Sequence, residues 1–557
     1  MKRNLLAVWL LLCACLLQAR SEFKLTALEG LPQAAYVYRD TLKNIHGRFS
    51  SFSPFFLVYP DAPCSLPEAE QLVKELGLDH YVTTYAGAVC VVNPVGTAYD
   101  NRQDLAAFEA LLNKLYIISN LKVIGIGRGA TFVNQSVSQH AGAVAGIVSL
   151  GGKPGRAGKE AAGVPAYVGG KNSRRVAAAY IRQNDAEQQT VEGTLTTYAN
   201  AGEPLLRVAV NNDESLSLRT SVDEAWRTVL SRNFRFNNYQ HTWYTGCNFG
   251  QYGPYELEPY IMPEEWGVER RVVEQELDGR GLCLWYEYHP AATLKAAPGT
   301  VPLVVLLHGN NNDPRTQAET SGFIELCAEE NFVVVELEWQ GNGYAFMGAD
   351  GIEQAIYHLL KTYPQLDATR IYAEGLSAGG LMATNLGISK SHLFAAVGGH
   401  SGALVTEGYR FSSGAEPLWA QSVQKRGCVE MPYISVCGTC DEVVPFVNKD
   451  NWQKNVFFRA WQAYQTMNGL DVTAQPDFGR DATFGIELAD RETVRTSKGL
   501  SVETGVLYKG NVPLIKLVAI NDYGHWNFKP AARMMWDYFK HFSREAGTGR
   551  LIYSQPE

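Results

Sequence analysis

One run of elements occurs twice in this 557-residue chain, and the repetition limits the fold more than any other feature. In the second half, the apolar run "VPLVVLLHG" (301–309) leads into "TQAETSGFIELCAEEN" at helical spacing. A second apolar run, "FVVVELEW", and the helical segment "GADGIEQAIYHLLKTYP" follow. "RIYAEGLSAGGLMATNLG" then reads as strand, sharp turn and helix. "LFAAVGGHSG", "PYISVCGTCD" and "PLIKLVAIND" add three strands, and "AARMMWDYFKHFSR" a closing amphipathic helix. Continuous apolar runs alternating with helices predict strands buried on both faces, hence a mostly parallel sheet flanked by helices.

The first half runs through the same order. "FFLVYPDAP", "LPEAEQLVKELG", "AVCVVNPVG", "DLAAFEALLNKLY" and "NLKVIGIGRGATF" correspond in sequence to the elements above. "AVAGIVSLGGKPG" parallels "LFAAVGGHSGALV", and "VPAYVGGKNS" parallels "MPYISVCGTCD". The last segments align without a gap from Pro204 and Pro513, with Asn-Asp pairs at 212 and 522 near the same strand ends. The chain therefore reads as an α/β protein with two copies of one domain in tandem, at 22–235 and 271–557. Residues 236–270 between them are rich in aromatic residues, glycine and proline and read as an ordered linker. Within it, Tyr239, His241, Trp243 and Tyr244 are candidates either to reach a cleft or to fill the space between the domains.

The first 21 residues have the plan of a secretory signal peptide: Lys2 and Arg3, then an apolar run from Leu5 to Leu17, with cleavage placed near Ala19. This predicts a secreted or periplasmic protein; "LCAC", ending in Cys15, is the weaker lipoprotein alternative. No later run is long and apolar enough for a membrane span. The net charge of −8 lacks the basic face that nucleic acid requires, so no nucleic-acid partner is expected. Of ten cysteines, Cys13 and Cys15 fall in the leader. Cys437-x-x-Cys440 has no second pair or histidine cluster beside it, so no metal site is expected, and a disulfide or two buried thiols is the reading.

Chemistry concentrates in the second copy. A hydroxyl is a weak nucleophile unless a base takes its proton, an acid orients the base, and donors hold the developing oxyanion. Ser377 in Gly375-x-Ser377-x-Gly379 sits between strand and helix, the setting of a nucleophile elbow. Asp441 and His525 follow in the order acid, then base, each in a loop after a buried strand. Loops after parallel strands open on one edge of the sheet, which lets the three converge. Asp522 and Glu442 are the rival acids. The backbone N–H groups of Asn310, after the His308-Gly309 turn, and of Ala378 are the expected oxyanion hole. Trp339, Gln340 and Trp526 are candidate substrate contacts, with core packing as the competing role for the tryptophans.

"PLVVLLHG", "DATRIYAEGLSAGGLMA", "CGTCDEVVPF" and "GHWNF" resemble the poly(3-hydroxybutyrate) depolymerase and feruloyl-esterase-type serine esterases of the α/β-hydrolase superfamily. The likeness spans about 282–542 and departs at Cys437, where a histidine is usual, and in the paired N-terminal half. It implies an α/β-hydrolase fold for the second copy, which the internal repeat extends to two α/β-hydrolase-like domains in tandem, and cofactor-free hydrolysis of an ester, whether polymeric, feruloyl, acetyl or small. It also implies Ser377, Asp441 and His525 as nucleophile, acid and base. A peptidase of the prolyl-oligopeptidase type and a non-catalytic binding protein are the alternatives. In the first copy, alignment sets Gly127 against Ser377, Ser173 against Asp441, Leu216 against His525, and Tyr59-Pro60 against His308-Gly309. That copy is accordingly expected to be a degenerate, catalytically inactive domain.

Overall fold

The computed structural model describes residues 23–39, 54–85, 87–115, 120–156, 163–235, 257–259, 263–310, 312, 314–341, 343–403, 429–496 and 500–555. The leader 1–21 and the linker residues Tyr239, His241, Trp243 and Tyr244 lie outside them.

The first half contains strands β1 (Thr26–Ala27), β2 (Ala35–Arg39), β3 (Phe55–Tyr59), β4 (Ala88–Val92), β5 (Leu121–Ile126), β6 (Gly146–Leu150), β7 (Ala166–Gly169), β8 (Gln188–Glu192), β9 (Leu195–Ala199) and β10 (Arg207–Asn211). They form one sheet in the order β1-β2-β4-β3-β5-β6-β7-β10-β9-β8. β4, β3, β5, β6, β7 and β10 run parallel, and antiparallel strands close both edges. A two-stranded ribbon follows, β11 (Asn233–Arg235) with β12 (Leu257–Pro259).

The second half contains β13 (Val268–Leu277), β14 (Gly281–Pro290), β15 (Val301–Leu307), β16 (Val333–Leu337), β17 (Leu366–Leu376), β18 (Ala396–His400), β19 (Tyr433–Gly438), β20 (Ala489–Arg495), β21 (Ser501–Lys509) and β22 (Val512–Ile520). Their order is β13-β14-β16-β15-β17-β18-β19-β22-β21-β20, the first sheet strand for strand, and β23 (Phe542–Arg544) pairs with β24 (Leu551–Tyr553) as β11 does with β12. Even the hairpin beyond the parallel strands, β8-β9 or β20-β21, with its outer strand exposed, is in both halves. General sheet-forming tendencies do not reproduce such an addition twice, so the halves are two copies of one plan.

Buried polar contacts repeat as well. Lys122 Nζ on β5 donates to the Asn233 carbonyl at 2.6 Å, and Tyr372 Oη on β17 donates to the Phe542 carbonyl at 2.8 Å. Arg235 donates to the carbonyls of Val144 and Gly163, and Arg544 to those of Phe394 and Glu430. Each arginine ties its ribbon to the sheet by satisfying carbonyls that would otherwise be buried without partners. Burial, reinforced by the Arg235 charge, pulls the Lys122 ammonium well below its ordinary pKa.

The ribbon also moves a boundary. The expected linker 236–270 contains β12, which pairs with the first copy, and the first residues of β13. The first copy thus extends to Pro259, and the second begins by Val268.

Each sheet is covered on both faces. In the second copy one core joins Leu303, Val305, Val335 and Ala373 to the helices Gly348–Thr362, Ala378–Ser389 and Val456–Asn468. The other joins Val304, Leu306, Val334 and Tyr372 to the helices Phe323–Glu330 and Pro530–Phe539. The expected single helix after β15 is two, Pro314–Thr320 and Phe323–Glu330, separated at Gly322, whose φ is 97°. Among the described residues no helix is long and apolar enough to cross a membrane.

Candidate active site

β17 ends at Leu376 and the helix Ala378–Ser389 starts one residue after Ser377. Ser377 is therefore the whole turn, with φ 57° and ψ −119°. Such a backbone costs a non-glycine residue roughly 1–3 kcal/mol and is kept only where the surroundings enforce it. Two contacts do so here. The Ser377 N–H donates to the His400 carbonyl at the end of β18 at 2.9 Å. Gly379 lies so close to β15 that a Cβ there would come within 1.8 Å of the Leu307 carbonyl oxygen.

The loop after β15 lies over this turn. A Cβ on Gly309 would sit 3.5 Å from Ser377 Cβ. His308 is buried, with Nδ1 2.8 Å from the Gly309 carbonyl and Nε2 3.5 Å from Glu338, so it braces the loop. The Asn312 N–H closes the turn onto the Gly309 carbonyl at 3.2 Å. Asn310 sits within that turn, and its side-chain oxygen is buried with no hydrogen-bond partner among the described residues. Ala378, the first helical residue, presents its N–H at the positive end of the helix.

On the same sheet edge, His525 Nδ1 lies 2.7 Å from Asp441 Oδ2, and both residues are buried. The other Asp441 oxygen accepts the N–H groups of Val443 and Val444 at 2.9 and 2.8 Å. The carboxylate is thus fixed at both ends, and Nδ1 must carry the proton it donates, which leaves Nε2 as a base. The rival acids are placed differently. Asp522 and Glu442 are exposed, and Asp522 shapes its loop by accepting the Cys440 thiol and donating its N–H to Thr439.

The substrate-contact expectations fare differently. Trp339 is 1% exposed, and its indole N–H donates to the His308 carbonyl at 3.1 Å. It supports the loop from below, in the core-packing role that was the alternative for the tryptophans. Trp526 is likewise in the core under the helix Pro530–Phe539. Gln340 is half-buried, its N–H held by Glu338 at 3.1 Å. Cys437 is a buried thiol and Cys440 a half-buried one, so the pair is not a disulfide. Among the described residues no group of three or more His, Cys, Asp or Glu is placed to hold a metal.

Sequence reasoning passed over three buried polar residues beneath the site: Glu374, Gln317 and His400. Glu374 lies three residues before Ser377 on β17, where burial pushes its carboxyl up to about 8 against the opposing pull of the Gln317 amide. Gln317 Nε2 donates to both Glu374 oxygens, at 3.1 and 2.9 Å. His400 is pushed down to about 3 by burial and by the nearby His525, and is neutral. Glu374 immediately precedes the Gly375-x-Ser377-x-Gly379 motif, and nothing in its spacing marks it as buried.

The first copy repeats the turn with other residues at the corresponding positions. Gly127 has φ 54° and ψ −110°, and its N–H donates to the Leu150 carbonyl at 2.8 Å. Gly129 approaches the Tyr59 carbonyl as Gly379 approaches Leu307. The ladder pairs Tyr59 with Gly125 and Leu307 with Gly375, so Tyr59 corresponds to Leu307. This corrects the expected alignment by one residue: Pro60-Asp61, not Tyr59-Pro60, occupies the place of His308-Gly309. The Arg128 N–H, counterpart of the Ala378 amide, donates to Asp61 at 2.7 Å. A Cβ on Gly127 would lie 2.1 Å from that same Asp61 oxygen. An acidic side chain therefore fills the space of the serine. Ser173 bonds Asn212 at 3.2 Å, and Leu216 has no ionisable group.

Gly127→Ser consequently has a definite expected outcome. The new side chain displaces Asp61 and breaks its bond to Arg128, at a cost of roughly 1–3 kcal/mol with the strained φ included. Urea unfolding should show the loss, Asp61→Gly should restore part of it, and neither variant should add esterase activity to a Ser377→Ala background.

With the geometry in place, the class follows. Residues 286–462 match the family model described as esterase PHB depolymerase, which makes the second copy a carboxylic-ester hydrolase domain of α/β-hydrolase plan. Solved structures similar to this chain include an acetyl xylan esterase from Aspergillus awamori, at 14% identity and a TM-score of 0.34, over 49% of this chain and 99% of that one. An S-formylglutathione hydrolase from Agrobacterium tumefaciens is similar at 12% identity and a TM-score of 0.34, over 49% and 96%. An acylaminoacyl peptidase from Pyrococcus horikoshii is similar at 12% identity and a TM-score of 0.33, over 67% and 51%. The fold assignment rests on strand order and not on these likenesses. A search of curated proteins found no sequence relative.

Proposed function

We propose that the protein is an exported serine esterase whose second copy works through Ser377, His525 and Asp441, while the first copy is catalytically inert. The observation that carries this reading is the buried Asp441–His525 pair at 2.7 Å, on the sheet edge where the strained Ser377 turn also lies. Ser377 Oγ attacks the ester carbonyl as His525 Nε2 takes its proton, and the imidazolium is steadied by Asp441. The N–H groups of Asn310 and Ala378 receive the oxyanion. Collapse expels the alcohol, protonated by His525, and leaves an acyl-enzyme. A water, deprotonated by His525, then releases the acid and restores Ser377.

The family match of residues 286–462 supports a polyester or another carboxylic ester as substrate, and no step needs a cofactor. The leader-like first 21 residues support export. Inertness of the first copy is supported by Gly127, Asp61, Ser173 and Leu216 at the positions where chemistry would need other groups. Purified protein should turn over chromogenic short-chain, aromatic or polymeric esters in preference to matched peptide amides. Faster amide cleavage would instead favour a peptidase, and no turnover of either would favour a binding protein.

A further inference from the structure

The two copies supply an internal control: one backbone plan, once with the catalytic groups and once without. Where the first copy has Ile124 on β5, the second has Glu374 on β17. Where the first ends β6 with Leu150, the second ends β18 with His400. The gapless C-terminal alignment sets Leu218 against Asn527. Three apolar positions in the inert copy are thus polar and buried in the other, and the inert copy reaches the same sheet order without them.

In the second copy these groups join three separate segments. Gln317, on the helix Pro314–Thr320 that follows the loop over the elbow, donates from Nε2 to Glu374 at 2.9 Å. Its Oε1 accepts Asn527 Nδ2 at 3.0 Å, and the same Nδ2 lies 3.0 Å from Thr320 Oγ1. Asn527 is two residues beyond His525. His400 closes the circuit: its carbonyl holds the Ser377 N–H, and its Nε2 accepts the Phe528 N–H at 3.1 Å. Its Nδ1 lies 3.2 Å from Ser401 Oγ, which fits a neutral ring donating there and accepting from Phe528.

The geometry points to His400 and the chain Glu374–Gln317–Asn527 as a set of positioning residues that lock the His525 loop to the Ser377 elbow and to the helix after the oxyanion loop. This rests on the esterase reading above. None of the four is assigned contact with the reacting atoms. They set the separation of nucleophile and base, where a displacement of about 1 Å costs roughly a hundredfold in rate. A buried polar chain is otherwise a poor choice for stability, since its desolvation consumes most of the hydrogen-bond gain. The apolar residues of the inert copy show what the fold alone accepts.

The experiment installs the inert copy's residues in the full chain: Glu374→Ile and His400→Leu, with Asn527→Ala as the mildest change and Glu374→Gln as the conservative one. Folding is checked by near-ultraviolet circular dichroism, and kcat and KM are measured on the best chromogenic ester. The expected result is a kcat lower by about tenfold to a hundredfold with KM nearly unchanged in the first three. Glu374→Gln, which keeps an acceptor for Gln317, should retain most of the rate. Folded variants with wild-type kcat overturn the proposal, as does a Glu374→Gln as slow as Glu374→Ile, which would give the acid a direct role. If Glu374→Ile does not fold, His400→Leu and Asn527→Ala decide by the same criteria; if neither of those folds, the four groups are needed for the fold itself and the proposal falls. Wild type and Ser377→Ala run in parallel separate the two levels. An inactive wild type, or an active Ser377→Ala, sinks the esterase reading and the proposal with it. A Ser377-dependent wild type with unaffected variants sinks only the positioning set.

Discussion

Replacing Ser377 with alanine is expected to lower kcat/KM toward a chromogenic acyl ester by about ten-thousand-fold or more, the scale on which removal of a triad nucleophile acts. In the proposed mechanism the effect is large because serine, base and acid operate as one unit, and the oxyanion donors alone recover only a small part of the rate. Ser377→Gly should be equally inactive and also more stable, by about 1 kcal/mol. Gly127 shows why: it holds the same backbone, φ 54° against 57°, without the penalty a side chain imposes there. A substitution that removes function and adds stability is the behaviour of a strained catalytic position.

Asp441→Asn is expected to cost about the same, near ten-thousand-fold in kcat. One oxygen of Asp441 is occupied by the Val443 and Val444 amides, so an asparagine keeping that contact turns its NH2 toward His525. The imidazole must then accept at Nδ1 and carry its proton on Nε2, the tautomer that cannot deprotonate Ser377. KM should change little, because Asp441 has no assigned contact with the substrate. Asp522→Asn and Glu442→Gln, at exposed neighbours, should remain close to wild type; a large loss in either would reassign the acid.

Much of the architecture was legible because burial on both faces writes a simple pattern. Runs such as "VVLLHG" and "YISVCG" have no polar alternation, and each became a central strand ending at the site edge. The elbow was legible for a steric reason, since only glycine tolerates the approach at Gly379. The edge hairpins were not. β8 reads "QQTVE" and β20 "ADRETVR", exposed along their length, so no apolar periodicity distinguishes them from loops. The end of the first copy was missed because its ribbon closes through Leu257–Pro259, within a segment whose composition suggests a linker.

The proposed triad could be named from the sequence, whereas the buried residues beneath it could not. Ser377, Asp441 and His525 each follow a strand, which assigns them to one edge. Trp339 also follows a strand, yet its indole N–H turns inward to the His308 carbonyl. Strand-end position does not record which way a large side chain points. Gln317 and Asn527, 210 residues apart, carry no local mark of their bond. That relation becomes visible only in the folded structure, where the two side chains meet at 3.0 Å.

The most direct test of a chain with one working site and one inert copy is mass-spectrometric mapping after reaction with a fluorophosphonate. The predicted result is a single adduct on the peptide containing Ser377, none on residues 23–235, and none anywhere in Ser377→Ala. An unlabelled wild-type protein, or an adduct on the first copy, would contradict the account.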